Sequence, residues 1–331
     1  MSSNKKIRLY IIYLVALAFT SNCSHRDSGR DNVITTATLN GPSAISMIYM
    51  IEEEPVLEGK YKTRFSIKSE PEQVKALMLE EKVDFAVLPS TMGAILYNLT
   101  GKYILAAIPV WGTLYLCGTD SSIEEWEDLK GREIYLMGKG MTPDVMFRYL
   151  AEKHGLVPDR DFSLNYSFNG HIELANALSA GIAELGVISE PMVSLIMSRN
   201  PDVKPLLSFD RSWEEVQHGK IPLAQTALLV RRDLAENNPG MVSEYLVYLE
   251  NSINRANANH GEAAELIVKH GILPEKELAE RAIPLSSLKF SYAGKEMKGI
   301  NEYFKVFYNF NPLITGGKLP DEGFYFKKAD I

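Results

Sequence analysis

From residue 32 onward the chain alternates two kinds of hydrophobic pattern. Short, nearly continuous apolar runs read as buried strands; stretches with an apolar residue every three or four positions read as helices. "NVITTATL" (32–39) predicts a strand, and "PSAISMIYMIEEE" (42–54) predicts the helix after it. "KTRFSIKS" predicts a strand, "PEQVKALMLEE" a helix opened by Pro71, "DFAVLP" a strand and "STMGAILYNLT" a helix. This β-α-β-α order predicts an α/β fold with parallel strands joined by right-handed crossovers. "YILAAIPVWGTLYLCG" (103–118) is longer and predicts one strand running into another.

The pattern then restarts. "LKGREIYLM" predicts a strand, and "TPDVMFRYLAEKHGL" a helix with Thr142 as N-cap, Pro143 at its first position and Gly155 as its stop. "DFSLNYSF", "ELGVI" and "VKPLLSF" predict strands; "HIELANALSAG" and "EPMVSLIMSR" predict helices. "PLAQTALLVRRD" (222–233) is again long and strand-like, and the chain after Pro239 reads as helix until a final loop and tail with Gly316 and Gly317. The chain therefore holds two α/β units. Residues 114–225 form one, inserted into a discontinuous unit of residues 32–113 and 226–331. Two strand-like crossings, near 109–118 and 222–230, join them. Such a pair of strands forms a hinge with a cleft between the units. Ligand sites in open parallel sheets lie off the carboxyl ends of the strands, which here face that cleft. Two corners carry nearly one text: "DFAVLPSTMGAIL" (84–96) and "ELGVISEPMVSLI" (184–196) align without a gap at a spacing of 100.

Composition narrows the class. The 331 residues are 46% hydrophobic and 23% charged, with a net charge of −7, which argues against nucleic acid as a partner. The first 23 residues, "MSSNKKIRLYIIYLVALAFTSNC", have a basic start, an apolar run from Leu9 to Phe19 too short to span a bilayer comfortably, and then Cys23. That layout predicts an export signal over residues 1–22, and Cys23 resembles the acylated cysteine of a bacterial lipobox, although Asn22 stands where a small residue is usual. Residues 23–31 then read as a tether. Without residues 1–22 the net charge is near −10. Cys117, in the apolar "LYLCG", predicts a buried structural thiol with no disulfide partner. The six His show no metal spacing, and no nucleotide-binding loop or nucleophile elbow is present, so no cofactor and no metal are expected.

Strand-to-helix corners supply the candidate site. Helix N-terminal amides lack internal partners and carry partial positive charge. The corners are "NGPSA" (40–44), "PSTMG" (89–93), "GKGMTP" (138–143), "SEPM" (189–192) and "SFNGH" (167–171). The expected ligand contacts are Gly41, Pro42, Ser43, Ser90, Thr91, Met92, Trp111, Gly140, Met141, Thr142, Asn169 and Glu190. Ser43, Ser90 and Thr142 can equally be helix caps. Glu190 replaces Ser90 of the first copy. Two readings apply to it: an ordinary acidic residue at a helix start, or an acceptor for an N–H or ammonium of the ligand. Lys139 could meet an anion or be a solvated lysine. Met47, Met92, Met141 and Met192 lie at or near the corners, and with Trp111 and Tyr166 they suggest an apolar cleft for a small organic, heteroaromatic molecule.

Four stretches carry a resemblance: "VDFAVLPST" (83–91), "LKGREIYLMGKGMTPDVMFRYLAEKHGL" (129–156), "ALSAGIAELGVISEP" (177–191) and "ALLVRRDLAENNPGMVSEYLVYLENSINRANANHGEAAELI" (227–267). In this order and spacing the chain resembles the solute-binding proteins of ABC importers. The similar group is the nitrate/sulfonate/taurine type, whose fold is shared by thiamine-precursor-binding and pyrimidine-synthase-like proteins. The resemblance implies a type II periplasmic-binding-protein fold with two lobes. It also implies a monomer in the periplasm, a small organic ligand that is heteroaromatic or sulfonate-like, and a permease and ATPase as partners. The only membrane contact implied is a lipid anchor at Cys23. An enzyme on the same fold, pyrimidine-synthase-like or menaquinone-pathway-like, and a sensory lipoprotein are the alternatives. The Cys/His cluster of the synthase branch is not seen.

Overall fold

The structure is a computed structural model and describes residues 32–168 and 170–327. The expected signal, Cys23, the tether and Asn169 lie outside the described residues. Residues Ile34–Ile331 form one unit, which carries both sheets.

The chain order is β1 (Val33–Leu39), α1 (Pro42–Ser46), α2 (Ile48–Glu53), β2 (Val56–Leu57), β3 (Tyr61–Lys68), α3 (Pro71–Leu79), β4 (Phe85–Pro89), α4 (Ser90–Thr100) and β5 (Tyr103–Val110). Next come β6 (Leu114–Gly118), β7 (Glu133–Tyr135), α5 (Thr142–Lys153), β8 (Ser163–Asn165), α6 (His171–Ser179), β9 (Leu185–Ser189), α7 (Met192–Arg199), β10 (Lys204–Ser208) and α8 (Phe209–Gln217). The last part holds β11 (Thr226–Arg231), α9 (Arg232–Asn237), α10 (Pro239–Ala258), α11 (His260–Lys269), α12 (Lys276–Leu285), β12 (Leu288–Tyr292) and α13 (Ala293–Phe310).

Two mixed sheets result. The larger has the order β12-β5-β11-β4-β1-β3-β2 and the smaller β10-β6-β9-β7-β8. Strands β1 and β4 pair in parallel, as do β7 with β8 and β9. The crossing strands depart from this parallel pairing. Strand β11 runs antiparallel to both β4 and β5, and β6 runs antiparallel to β9. The reason is geometric. A strand that enters a sheet from the other one starts at the edge where the sheet's own strands end, so it must run against them.

Other departures are local. The helix expected over 42–54 breaks at Met47 into α1 and α2. Met141, not Thr142, is the N-cap of α5, so Thr142 is its first helical residue. Helix α8 and strand β2 went unread, and residues 288–292, inside the stretch expected to be helical, form strand β12. Helix α8 did carry a signal: Phe209, Ser212 and Trp213 are its buried residues, at helical spacing, behind Ser208, whose side chain accepts from the Arg211 amide. Strand β12 is five residues long and lies at the sheet edge, where one pairing suffices.

The core of the larger sheet is closed by α10 and α13. Tyr245 on α10 stacks on Phe85 of β4 with centroids 3.8 Å apart, and its hydroxyl meets Thr36 Oγ1 on β1 at 2.9 Å. An aromatic that size is buried stably because both its ring and its polar tip find partners. Around the smaller sheet, Trp126, Phe147, Phe162 and Phe209 form a ring-on-ring cluster. Cys117 is buried beside Leu174, Leu178 and Ile188, and burial holds its thiol well above the usual range. Both facts fit a structural thiol. Among the described residues no helix is long and apolar enough to cross a membrane.

Candidate functional site

The repeated text folds into equivalent corners. Strands β4 and β9 occupy the same five positions of the two copies. Each pairs with a crossing strand: Pro89 is opposite Thr226, and Ser189 is opposite Leu114. One residue further, the Ser90 amide donates to the Gln225 carbonyl at 3.0 Å, and the Glu190 amide donates to the Thr113 carbonyl at 3.1 Å. The shared letters thus dock each corner on one crossing.

The first copy's break divides its labour. Ser90 is fully buried, and its hydroxyl donates to the Ala224 carbonyl at 2.5 Å. The Ser90 hydroxyl therefore serves the junction of the two sheets. Thr91, the next residue, places its hydroxyl 3.0 Å from that of Thr142 at the start of α5. This contact joins the first turns of two helices of 11 and 12 residues that belong to different sheets. Each helix N-terminus carries roughly half a positive charge, so their approach favours negative charge near them. Helix α4 has no acidic residue in its first turn. Helix α5 has Asp144, which is already engaged. Its Oδ2 accepts from the Gly140 amide at 2.7 Å; its Oδ1 accepts from Arg148 Nε at 2.7 Å and from the Tyr166 hydroxyl at 2.5 Å. Arg148 also donates to the Tyr166 oxygen at 2.8 Å. Burial, then the Asp144 bond, pushes the Tyr166 hydroxyl up to about 12. This partly buried network holds the 138–141 loop from behind, with the Lys139 ammonium 5.7 Å from the Tyr166 ring centroid. Sequence reasoning missed Asp144 and Arg148, although acid and base four apart on a helix face are a readable pair.

The second copy's break is built differently. Glu190 is 3% exposed. Its Oε1 accepts from the Ser194 hydroxyl at 2.9 Å and its Oε2 from the Ser194 amide at 3.3 Å, in the first turn of α7. Burial raises its carboxyl from 4.5 to about 7, and the Ser194 bonds offset only part of that. Its charge in turn helps raise the Tyr115 hydroxyl, chiefly lifted by burial, to about 12. The Glu190–Pro191 peptide bond is cis.

Gly41, at the corner after β1, meets this break from the other sheet. Its φ of 94° and ψ of −144° suit glycine, and a Cβ there would sit 2.7 Å from Pro191 Cδ and 3.7 Å from the Glu190 carbonyl oxygen. Pro42 and Ser43 follow it and are buried in the short helix α1. The structure thus brings Gly41 to Pro191 and Thr91 to Thr142. It places other expected residues elsewhere. Trp111 lies in the first crossing, with its indole N–H donating to the Lys289 carbonyl at 2.7 Å, so the ring faces β12. Met47 is fully buried in the core, Met92 is partly buried against it, Met192 is partly buried against the separate cluster around Cys117, and Met141 is 52% exposed. Gly140 is exposed with open space where a side chain would be. Among the described residues no group of His, Cys, Asp and Glu could hold a metal.

The family described as ABC transporter, phosphonate, periplasmic substrate-binding protein matches residues 54–258, more than half of the chain. The chain belongs to that family. The chain is 27% identical over 124 residues to a protein of Bacillus subtilis (strain 168) named as a binding protein, YtlA; the match covers 38% of this chain and 36% of YtlA. The chain thus spans about a third of the curated relative it matches. Its fold is similar to the crystal structure of an ABC transporter protein from Parabacteroides distasonis, with a TM-score of 0.79 and 27% identity over 90% of this chain and 100% of that one. It is also similar to the periplasmic aliphatic sulphonate binding protein SsuA from Escherichia coli, with a TM-score of 0.71 and 12% identity over 91% of this chain and 94% of that one. At that identity the likeness to SsuA concerns the fold, which is the type II arrangement of two α/β lobes. Thr91, Thr142 and Glu190 lie inside the residues matched to the substrate-binding family; Gly41, Pro42 and Ser43 precede them.

Proposed function

We propose that this substrate-binding protein captures a small organic anion between two lobes, residues 32–113 with 226–331 and residues 114–225, and passes it to an ABC permease. The supporting observation is the meeting of Thr91 and Thr142, which aims two helix N-termini from different sheets at one place. A phosphonate or sulfonate group there would accept from first-turn amides and from both hydroxyls. Each helix end contributes up to about 2 kcal/mol when partly buried. The phosphonate name of the family and the sulphonate named for SsuA agree with that chemistry. Glu190 would accept an N–H or ammonium at the other end of the ligand, making the preferred solute zwitterionic. The heteroaromatic ligand loses ground, because Met47 is in the core and the Trp111 N–H is bonded to Lys289. We further propose that Cys23 carries the lipid that holds the protein at the membrane. The protein works as a monomeric carrier, not as an enzyme.

Calorimetry with a panel of alkylphosphonates, alkylsulfonates and their amino derivatives tests this. A true ligand at a hundredfold excess over its Kd adds about 2.7 kcal/mol to the unfolding free energy. No stabilisation by any member of the panel would overturn the ligand class.

A further inference from the structure

One side chain bridges the two crossings beside the backbone pairing of Thr226 with Val110. Gln225 Oε1 accepts from the Thr113 amide at 2.9 Å, and Gln225 Nε2 donates to Thr113 Oγ1 at 2.6 Å. Both polar groups of the amide are therefore used on a single residue of the opposite crossing. Thr113 is buried and Gln225 is partly buried, so both bonds are partly shielded from water, where an unmade bond costs more. The same two residues hold the two corners: the Gln225 carbonyl takes the Ser90 amide, and the Thr113 carbonyl takes the Glu190 amide. A continuous path thus runs from Ser90 through Gln225 and Thr113 to Glu190. It joins the equivalent positions of the two copies, and neither Gln225 nor Thr113 belongs to either copy.

We propose that Gln225 is a positioning residue. Its side chain fixes the spacing between the Thr91 corner and the Glu190 corner, and so sets how strongly the protein prefers a ligand that carries an amino group at the right distance from its anionic head. A carboxylate recognises an ammonium only if the two are placed to within a fraction of an ångström, and this placement is what a bond network behind the site supplies. Gln225 has no part in the Thr91–Thr142 contact, so binding of the anionic head alone does not depend on the clasp. This role for Gln225 rests on the proposed ligand class.

The test compares 2-aminoethylphosphonate with ethylphosphonate on the full chain by titration calorimetry. Wild type should prefer the aminated probe by about tenfold or more. In Gln225→Ala that preference should fall to about twofold, with ethylphosphonate affinity nearly unchanged; Thr113→Ser, which keeps the hydroxyl and the amide, should retain the wild-type preference. Equal weakening of both probes, or an undiminished preference, overturns the proposal. Should Gln225→Ala fold poorly, Thr113→Val removes one bond of the clasp and must lower the preference. If wild type binds neither probe, the ligand class has failed and hydrogen exchange judges the clasp by itself. Exchange in Gln225→Ala must then accelerate at Glu190 as well as at Thr113. Acceleration at Thr113 alone shows that nothing is transmitted to the second corner.

Discussion

Glu190→Gln separates what this carboxylate does for folding from what it does for binding. In the folded protein its carboxyl is raised from 4.5 to about 7 by burial. The folded state therefore holds a proton that the unfolded chain has released between those two values. Stability is fully present below about pH 4.5, falls as pH rises toward 7, and is level above that. At about 1.4 kcal/mol per unit the fall is about 3 kcal/mol. Glutamine removes the titration but keeps one acceptor for Ser194, at a cost of about 1 kcal/mol for the weakened pair. Urea melts from pH 4.5 to 8.5 should then show two curves that diverge. Near pH 4.5 the Gln variant should be equal to wild type or slightly weaker; above pH 7.5 it should be more stable by about 2 kcal/mol. Affinity moves the other way: binding of an aminated phosphonate should weaken at least about tenfold, or 1.4 kcal/mol. Parallel stability curves would show that Glu190 is not a buried titrating group. Diverging curves with unchanged affinity would reduce it to a residue of the α7 first turn.

Three further outcomes follow from the same geometry. Thr91→Val and Thr142→Val should each weaken ethylphosphonate binding about fivefold, the worth of one hydrogen bond, with the melting temperature barely moved; titration calorimetry and a thermal scan check both. Gly41→Ala should lose about 1–3 kcal/mol of stability in urea, because a side chain is forced into a glycine conformation, and should also weaken ligand binding, because the new methyl would lie 2.7 Å from Pro191 Cδ. Asp144→Asn should cost about 3 kcal/mol in a urea melt, since it leaves Arg148 half-buried without its carboxylate, and should make the 138–141 loop a faster site of proteolysis.

The parts legible in the sequence were those with a local cause. Strand β4 and helix α4 fall where the apolar run, Pro89 and the three- and four-residue spacing put them. Helices α3 and α10 begin on Pro71 and Pro239 for the same kind of reason. What was not legible depends on partners far along the chain. The antiparallel course of β6 and β11 comes from where each strand enters its sheet. Nothing in "LYLCG" or "TALLVR" encodes direction. Ser90 and Thr91 look interchangeable in the text, yet one hydroxyl turns to Ala224 and the other to Thr142. Gln225 sits in a stretch read only as a crossing, 112 residues from Thr113, and no periodicity marks its side chain.

The duplicated corner shows how such a fold obtains an asymmetric site from symmetric parts. Each copy contributes a strand, a helix and one amide bonded to a crossing carbonyl, and those duties fix the apolar letters the copies share. The break is less bound by them, because a backbone amide does the docking in both copies, with the Ser90 hydroxyl adding one bond to Ala224 in the first. Ser90 can therefore turn to Ala224 and Thr91 to Thr142 on one side, while Glu190 bonds Ser194 on the other. A change at Thr91 or Glu190 alters what the two corners present while the Ser90 and Glu190 amides keep their bonds to the crossings. Replacing the Gln225 side chain does the reverse, keeping both corners intact while loosening the distance between them. The two kinds of variant should thus separate ligand chemistry from ligand spacing, a separation available only because the docking amides of both copies meet at Thr113 and Gln225.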